Sequence, residues 1–484
     1  MFYLVGLPDS AVKESHQRII SALQVNGYRM PTSNIVINMA PADIRKEGAA
    51  YDLPLAIGIL AASEVIQSDK LERYLLMGEL SLDGSLQPIK GALPIAIKAR
   101  ELGFEGMIVP QQNAHEAAVV NNLKVYGAGN IKEVIEFFNG TQELTPTLVN
   151  TREEFYSQQS NFDFDFAEVK GQENVKRALE VAASGSHNIL LIGSPGSGKS
   201  MLAKRLPSIL PPLSLGESLE TTKIHSVAGK LGKDGGLISK RPFRAPHHTI
   251  STVAMTGGGG FPQPGEISLA HNGILYLDEL PEYSRNVLEV LRQPLEDRKI
   301  TVSRIRCNVE YPASFMLVAS MNPCPCGYYT HPTKACVCSS GQVQKYLNRI
   351  SGPLLDRIDL QIEVTPLPFE EMADSRPGES SATIRERVIR ARQIQEARYA
   401  DIPGIYCNAQ MNSKLLARHA RPDDKGLAML KTAMNRLNLS ARAYDRILKV
   451  SRTIADLEGC ELIQPAHLAE AIGYRNLDRE DWAG

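Results

Sequence analysis

The feature that most constrains the fold is a glycine-rich stretch that directly follows an apolar strand pattern. Residues 188–192 are Asn-Ile-Leu-Leu-Ile, and the next eight are Gly193, Ser194, Pro195, Gly196, Ser197, Gly198, Lys199 and Ser200. A helical pattern follows, so the motif has the strand–loop–helix context of a phosphate-binding loop (P-loop). Glycines let backbone N–H groups turn inward around phosphate oxygens, and the following helix adds its positive N-terminal dipole. The alternative, an accidental glycine-rich turn, does not explain the flanking patterns.

The end of this motif indicates its ligands. Lys199 would bring a positive charge to the β- and γ-phosphates of ATP, and the Ser200 hydroxyl would bind Mg²⁺. The motif therefore predicts ATP and Mg²⁺ as cofactors.

Two further strand patterns end in polar residues. Residues 272–277 are followed by Asp278, which would hold Mg²⁺ through water, and Glu279, which would polarise the attacking water. The pattern over 314–320 leads to Asn322, which would orient that water. An acidic strand cap and a turn asparagine are the respective alternatives.

Phosphoryl transfer builds negative charge on the γ-phosphate, so a cation must approach it. Arg357, in Leu-Leu-Asp-Arg-Ile-Asp, and Arg442, in Leu-Ser-Ala-Arg-Ala, are the two candidates. Their sequence context alone does not separate them from surface arginines.

Polar segments with weak periodicity divide the chain of 484 residues. We predict linkers at 141–162 and 366–381, which separate a mixed α+β block at 1–140, an α/β block at 163–365 and a helical block at 382–484. Alternating apolar strands and helices in the middle block predict a parallel sheet and an α/β fold class.

Composition excludes some partners. The formal net charge is −1, so any contact with nucleic acid must come from local basic patches. We see no apolar run long enough to span a bilayer and no signal peptide, which predicts a cytoplasmic protein without a membrane partner. The seven cysteines, an odd number, favour a reduced protein over a disulfide scaffold.

Two stretches are candidates for binding DNA. The first offers cations and an aromatic residue at a flexible glycine-rich tip, and the second alternates like a β-hairpin with two arginines on one face. The alternative is an exposed polar loop and an edge hairpin. The candidate residues are Lys240, Arg241, Arg244 and Phe261 in the first stretch, and Arg304 and Arg306 in the second.

Four cysteines form a C-x-C…C-x-C pattern in which four thiolates could hold one tetrahedral Zn²⁺, with His331 as a spare ligand. Reduced thiols in a loop are the alternative. The cysteines are Cys324, Cys326, Cys336 and Cys338.

Taken together, these motifs resemble the AAA+ superfamily, and specifically its Mg-chelatase-type branch. The resemblance implies an AAA+ P-loop core and a helical C-terminal lid. It also implies that Arg357 reaches the ATP of a neighbouring subunit and that Arg442 is the sensor in the lid. Both roles imply a homo-oligomeric ring, commonly a hexamer.

Longer motifs are similar to the YifB/ComM family and cover nearly the whole chain. Examples are Tyr-Asp-Leu-Pro-Leu from residue 51, Phe-Arg-Ala-Pro-His-His from residue 243 and Asn-Pro-Cys-Pro-Cys-Gly from residue 322. This similarity implies a bacterial cytosolic helicase that promotes branch migration of single-stranded or branched DNA in natural transformation. The alternative function is a chelatase-type or chaperone-type remodelling ATPase that does not act on DNA.

The first block resembles the Lon proteolytic fold. Lon-type proteases need a serine nucleophile and a lysine base, and the matching positions here hold Ala50 and Leu93. We therefore predict no peptidase activity. Relatives carry more residues before Val5, so the block is expected to lack an initial strand or two.

Overall fold

The computed structural model describes residues 2–41, 46, 48–232, 235–259, 262–304, 307–329, 331–367, 377–437 and 439–475. The strands, in chain order, are β1 (Phe2–Val5), β2 (Ile35–Asn38), β3 (Tyr74–Leu76), β4 (Glu79–Leu80), β5 (Leu86–Gln87), β6 (Gly106–Pro110), β7 (Lys124–Ala128), β8 (Ile189–Ile192), β9 (Phe243–Arg244), β10 (Gly257–Gly258), β11 (Gln263–Pro264), β12 (Ile274–Leu277), β13 (Lys299–Arg304), β14 (Cys307–Pro312), β15 (Met316–Met321) and β16 (Leu360–Glu363).

The helices, in chain order, are α1 (Ser10–Val25), α2 (Asp52–Ala62), α3 (Ala92–Glu101), α4 (Gln111–Ala118), α5 (Ile131–Phe138), α6 (Thr151–Gln158), α7 (Glu173–Gly185), α8 (Lys199–Arg205), α9 (Leu215–Ala228), α10 (Thr252–Thr256), α11 (Glu266–Leu269), α12 (Arg285–Glu289), α13 (Arg292–Asp297), α14 (Ser340–Leu347), α15 (Gly352–Leu355), α16 (Ser381–Tyr399), α17 (Ser413–His419), α18 (Asp424–Arg436), α19 (Ala441–Leu457) and α20 (Pro465–Gly473). Over the described ranges, no helix has both the length and the apolar character needed to cross a membrane.

The chain forms two compact units. The first comprises Met1–Gln158 and Leu215–Ser239, and the second comprises Gln159–Ser214 and Lys240–Gly484. Helix α6 lies inside the predicted linker 141–162 and belongs to the first unit. Helix α9, which the sequence pattern placed in the block 163–365, also belongs to the first unit, because its Leu219 packs against the apolar cluster around α3 and α4.

The first unit contains a parallel sheet with strand order β3-β6-β7, a parallel pair β1-β2 and an antiparallel pair β4-β5. Residues 1–140 contain both helices and strands, as expected for a mixed α+β block. At the positions compared with Lon-type proteases, Ala50 lies in a short 3₁₀ turn and Leu93 is fully buried among apolar side chains.

The second unit is built on a five-stranded parallel sheet with strand order β16-β8-β15-β12-β9. In β8, Ile189 and Leu191 face one hydrophobic core, whereas Leu190 and Ile192 face the other. Because both faces are covered, the central strands are apolar almost throughout rather than alternating. The first core also contains Ile447 of α19, so the helical block and the α/β block share one core. The predicted parallel sheet is confirmed.

The strand order determines where the loops meet. Strand β15 pairs in parallel with β8 on one side and with β12 on the other. The loops after β8, β12 and β15 therefore leave the same edge of the sheet, where ligands of open α/β sheets bind.

A buried polar network joins α19 to the opposite edge of the sheet. Asp359 accepts the backbone N–H of Asn188 at 3.0 Å and pairs with Arg446 of α19, also at 3.0 Å. The ring of His187 lies 3.4 Å from Asp359, and its other nitrogen is 2.7 Å from the Thr453 hydroxyl. Burial opposes ionisation of Asp359, yet the charge of Arg446 and the contact with His187 hold its pKa well below the ordinary value.

Replacing Asp359 tests this network. We expect Asp359→Asn to lower the free energy of unfolding by about 3–5 kcal/mol, because it removes the charge of a fully buried carboxylate and leaves Arg446, whose side chain is only 21% exposed, without its partner. Because the folded-state pKa is depressed, the stabilisation is present above about pH 4 and is lost as the pH falls through the folded-state value. Urea unfolding at neutral and acidic pH measures both effects.

Asp356→Asn is the matched control. Asp356 is partly exposed and pairs with Arg442, whose side chain is 61% exposed, so we expect a loss below about 1 kcal/mol. Equal losses for the two variants would contradict the assigned role of the buried network.

Candidate active site

Residues 193–198 connect β8 to α8 and form a loop with the backbone that the motif predicts. Gly198 has a φ of 95°, in the left-handed region that favours glycine. A Cβ atom on Gly193 would lie 2.3 Å from the carbonyl oxygen of Val364, so only glycine fits. The hydroxyls of Ser194 and Ser197 are buried without a hydrogen-bond partner among the described residues. Unsatisfied buried donors in a glycine-rich loop suit the phosphate oxygens of a nucleotide.

Lys199, the first residue of α8, lies at the base of this loop. Its Nζ donates to the carbonyl oxygens of Gly193 at 2.6 Å and Ser194 at 2.9 Å, and it is 3.3 Å from Oδ1 of Asn322. Burial lowers the pKa of Lys199, while the nearby carboxylates of Asp278 and Glu279 act in the opposite direction. The structure thus brings the predicted lysine and the predicted asparagine into contact.

Asp278 follows β12 and is held by hydroxyl groups. It accepts from Ser200 at 2.9 Å and from Ser320, and the Tyr276 hydroxyl lies within 3.2 Å of both serines. Burial opposes ionisation of Asp278, but the hydrogen bonds from Ser320, Ser200 and Tyr276 outweigh it and lower its pKa. A carboxylate beside the Ser200 hydroxyl is a donor set that suits Mg²⁺.

Sequence reasoning missed Ser320 and Tyr276. The usable signal was that each is a polar residue in an otherwise apolar buried strand, where a hydroxyl needs a partner.

Glu279 has a φ of 54°, an uncommon backbone conformation for a residue other than glycine and one that often marks functional sites. Its carboxylate lies 3.4 Å from Nδ1 of His248. The two neighbouring histidines, His247 and His248, have different partners. His247 does contact Thr249 locally, whereas His248 reaches Glu279 because β9 lies beside β12 in the sheet.

The two candidate arginines, Arg357 and Arg442, lie near each other, and each forms an ion pair away from the P-loop. Arg357 is buried and pairs with Glu296, and its Nη1 donates to the carbonyl oxygen of Pro353. Arg442 lies in the first turn of α19 and pairs with Asp356 at 3.0 Å. Neither partner belongs to the P-loop.

Three of the candidate DNA-binding cations contact other parts of the second unit. Arg241 donates to the carbonyl oxygens of Pro211 and Asn272, Arg244 pairs with Glu266 at 2.6 Å, and Lys240 lies over the ring of Phe162. The guanidinium groups of Arg241 and Arg244 thus already have hydrogen-bond or ion-pair partners within the second unit.

The predicted hairpin is confirmed, since β13 and β14 pair antiparallel with Arg304 opposite Cys307 at its end. The side chain of Arg304, and Arg306 and Phe261 entirely, lie outside the described residues. Gly257 and Gly258 are buried and form β10, paired with β11, so this part of the predicted flexible tip is instead a short ladder.

The structure also brings the four clustered cysteines together, with their sulfur atoms all within 4.8 Å of one another. His331 has another role, because its Nδ1 accepts the backbone N–H groups of Thr333 at 3.1 Å and Lys334 at 3.0 Å.

A P-loop after β8, an acidic pair after β12 and an asparagine after β15 define an ATPase of the AAA+ class. Three family models agree with this fold. "Magnesium chelatase, subunit ChlI" matches residues 165–372, "Subunit ChlI of Mg-chelatase" matches residues 1–113, and "Magnesium chelatase, subunit ChlI C-terminal" matches residues 378–475.

Curated relatives extend this similarity over nearly the whole chain. Competence protein ComM of Haemophilus influenzae is 45% identical over 480 residues, which are 99% of this chain and 92% of the relative. Protein YifB of Escherichia coli is 44% identical over 483 residues, which are 98% of this chain and 92% of that protein. The magnesium-chelatase 38 kDa subunit of Rhodobacter capsulatus is 26% identical over 179 residues, 33% of this chain and 50% of that protein. The chain belongs to the YifB/ComM family of Mg-chelatase-like AAA+ ATPases.

Removing one hydroxyl around Asp278 tests the proposed magnesium site. We expect Ser320→Ala to raise the Mg²⁺ concentration needed for half-maximal ATPase activity about tenfold, because partners behind a metal ligand tune metal affinity by 10- to 100-fold. The matched control is Ser268→Ala, since the buried Ser268 hydroxyl has no hydrogen-bond partner among the described residues. An unchanged Mg²⁺ requirement in Ser320→Ala would contradict the site.

Proposed function

We propose that this protein hydrolyses ATP with Mg²⁺ in a cytoplasmic homohexameric ring and uses the energy to move single-stranded or branched DNA as a helicase or branch-migration translocase. One observation carries the ATPase part. Lys199 contacts Asn322, and Ser200 contacts Asp278, so the residues from three separate motifs meet at one edge of the sheet.

Each side chain has a chemical task in this proposal. Lys199 exchanges its backbone carbonyl partners for the β- and γ-phosphate oxygens of ATP. Ser200 and Asp278 would hold Mg²⁺, which supplies positive charge to the phosphates. Glu279 turns from His248 and accepts a proton from the attacking water, which Asn322 orients.

In the proposed ring, a neighbouring subunit supplies the positive charge that the γ-phosphate needs during hydrolysis. Within one chain Arg357 pairs with Glu296 rather than with the P-loop. In the proposal, the γ-phosphate bound by a neighbouring subunit takes the place of Glu296, because a phosphate group carries more charge than a carboxylate. Arg442 lies near Arg357 and would sense the same nucleotide.

The proposal that this ATPase acts on DNA rests on its relatives and on the β13–β14 hairpin. A relative named a competence protein covers 99% of this chain, whereas the magnesium-chelatase subunit covers 33%. The β13–β14 hairpin carries Arg304 at its end and would bring it to a phosphate backbone. Because the competence protein matches a much larger share of this chain than the magnesium-chelatase subunit does, a DNA motor is favoured over a chelatase-type or chaperone-type ATPase.

ATPase rates with and without single-stranded and forked DNA test the proposal. We expect DNA to stimulate wild-type turnover, Lys199→Ala to be inactive, and Arg304→Ala/Arg306→Ala to lose most of the stimulation. The double variant should also lower the slope of log affinity against log salt by about 2, one for each lost phosphate contact.

Lys299→Ala is the matched control, because Lys299 lies at the other end of the same hairpin and pairs with Glu310 at 2.9 Å. If DNA neither binds nor stimulates, the DNA role fails and a remodelling ATPase remains. If Lys199→Ala turns over ATP at the wild-type rate, the ATPase assignment itself fails.

A further inference from the structure

The loop over residues 323–339, here called the cysteine loop, joins β15 to α14. Its described residues form no helix or strand. A connection of this length without secondary structure is uncommon in a compact fold and usually has a function of its own. The loop therefore needs another source of order.

The sulfur atoms of the cysteine loop lie at distances that suit a shared metal ion. Sγ of Cys324 is 3.3 Å from that of Cys326 and 3.6 Å from that of Cys336, and Cys326 and Cys336 are 3.5 Å apart. A disulfide would bring two sulfur atoms to about 2.0 Å, and all four cysteines are free. Four sulfur ligands about 2.3 Å from a tetrahedral Zn²⁺ are about 3.8 Å apart. The observed spacing is close to that value.

The surroundings of the cluster suit thiolates. Cys324 is fully buried, and its sulfur accepts the backbone N–H of Tyr329 at 3.4 Å. The sulfur of Cys336 accepts the backbone N–H of Cys338 at 3.4 Å. Backbone donors that point at metal-bound sulfur stabilise its negative charge and fix its orientation.

The residue just before the cysteine loop and one residue within it contact the nucleotide site. Asn322 contacts Lys199 and lies only two residues before Cys324. Between Cys326 and Cys336, Gly327 lies against Pro195 of the P-loop, so a Cβ atom on Gly327 would be 2.5 Å from Cδ of that proline. The cysteine loop thus begins beside Asn322 and packs against the P-loop.

We propose that Cys324, Cys326, Cys336 and Cys338 hold one structural Zn²⁺, and that this ion braces the P-loop through the contact of Gly327 with Pro195. The metal site stands on the sulfur geometry alone, whereas its effect on nucleotide binding rests on the proposed ATPase function.

Metal analysis of the full-length protein, purified under reducing conditions, tests the site. We expect one zinc per chain in the wild type and none in Cys336→Ser/Cys338→Ser. The control is Cys460→Ser, which should keep its zinc. Because Cys460 belongs to a second group with Glu458 and His467, this control also excludes that group as the source. A wild type that neither carries nor takes up zinc would overturn the site.

Gly327→Ala tests whether the contact between Gly327 and Pro195 supports nucleotide binding, and it leaves all four sulfur ligands unchanged. The added methyl group meets Pro195, and the φ of 84° at this position disfavours alanine. We expect zinc to stay at one per chain and the Kd for a fluorescent ADP analogue, measured without DNA, to rise about tenfold.

Nucleotide affinity equal to wild type in Gly327→Ala would overturn the brace. If the wild type contains zinc but binds no nucleotide, the proposed ATPase function fails while the metal site stands. Thermal unfolding of each variant shows whether it is still folded. Gly327→Ala keeps all four sulfur ligands, so a weaker Kd in a folded Gly327→Ala protein cannot be explained by loss of a ligand.

Discussion

The second unit depends on the burial of β8 between two parallel neighbours. Four apolar residues fill this strand, and their alternating side chains enter both hydrophobic cores. Pairing with β15 and β16 holds the strand in place and fixes its direction. The P-loop then leaves β8 at the edge where Asp278 and Asn322 end their own strands. The site is thus a consequence of strand order.

The two ends of β8 have different tasks. At its amino end, His187 and Asn188 meet Asp359, which pairs with Arg446 of α19. At its carboxyl end the chain enters the P-loop. The four residues of β8 therefore separate the nucleotide site from the contact of Asp359 with Arg446, which joins α19 to the sheet. In the proposed motor, this short strand would transmit movement of α19 to the nucleotide site.

Local patterns predicted the P-loop, the acidic pair and the β13–β14 hairpin, because each depends on residues close together in the chain. The contacts of Glu279 with His248 and of Asp278 with Ser320 depend on which strands are neighbours, and no local pattern contains the strand order. Helix α9 is another such case. Its place in the first unit follows from packing of Leu219, whereas its position in the sequence lies between the P-loop and β9.

The central claim is that ATP is hydrolysed between adjacent protomers, and mixing two inactive variants tests it most directly. Glu279→Gln lacks the residue that activates water but keeps Arg357, whereas Arg357→Ala has the opposite defect. In a ring with head-to-tail interfaces, an equal mixture should restore about a quarter of the sites and a matching share of the wild-type ATPase rate. A mixture as inactive as its components, or wild-type turnover by Arg357→Ala alone, would contradict the account.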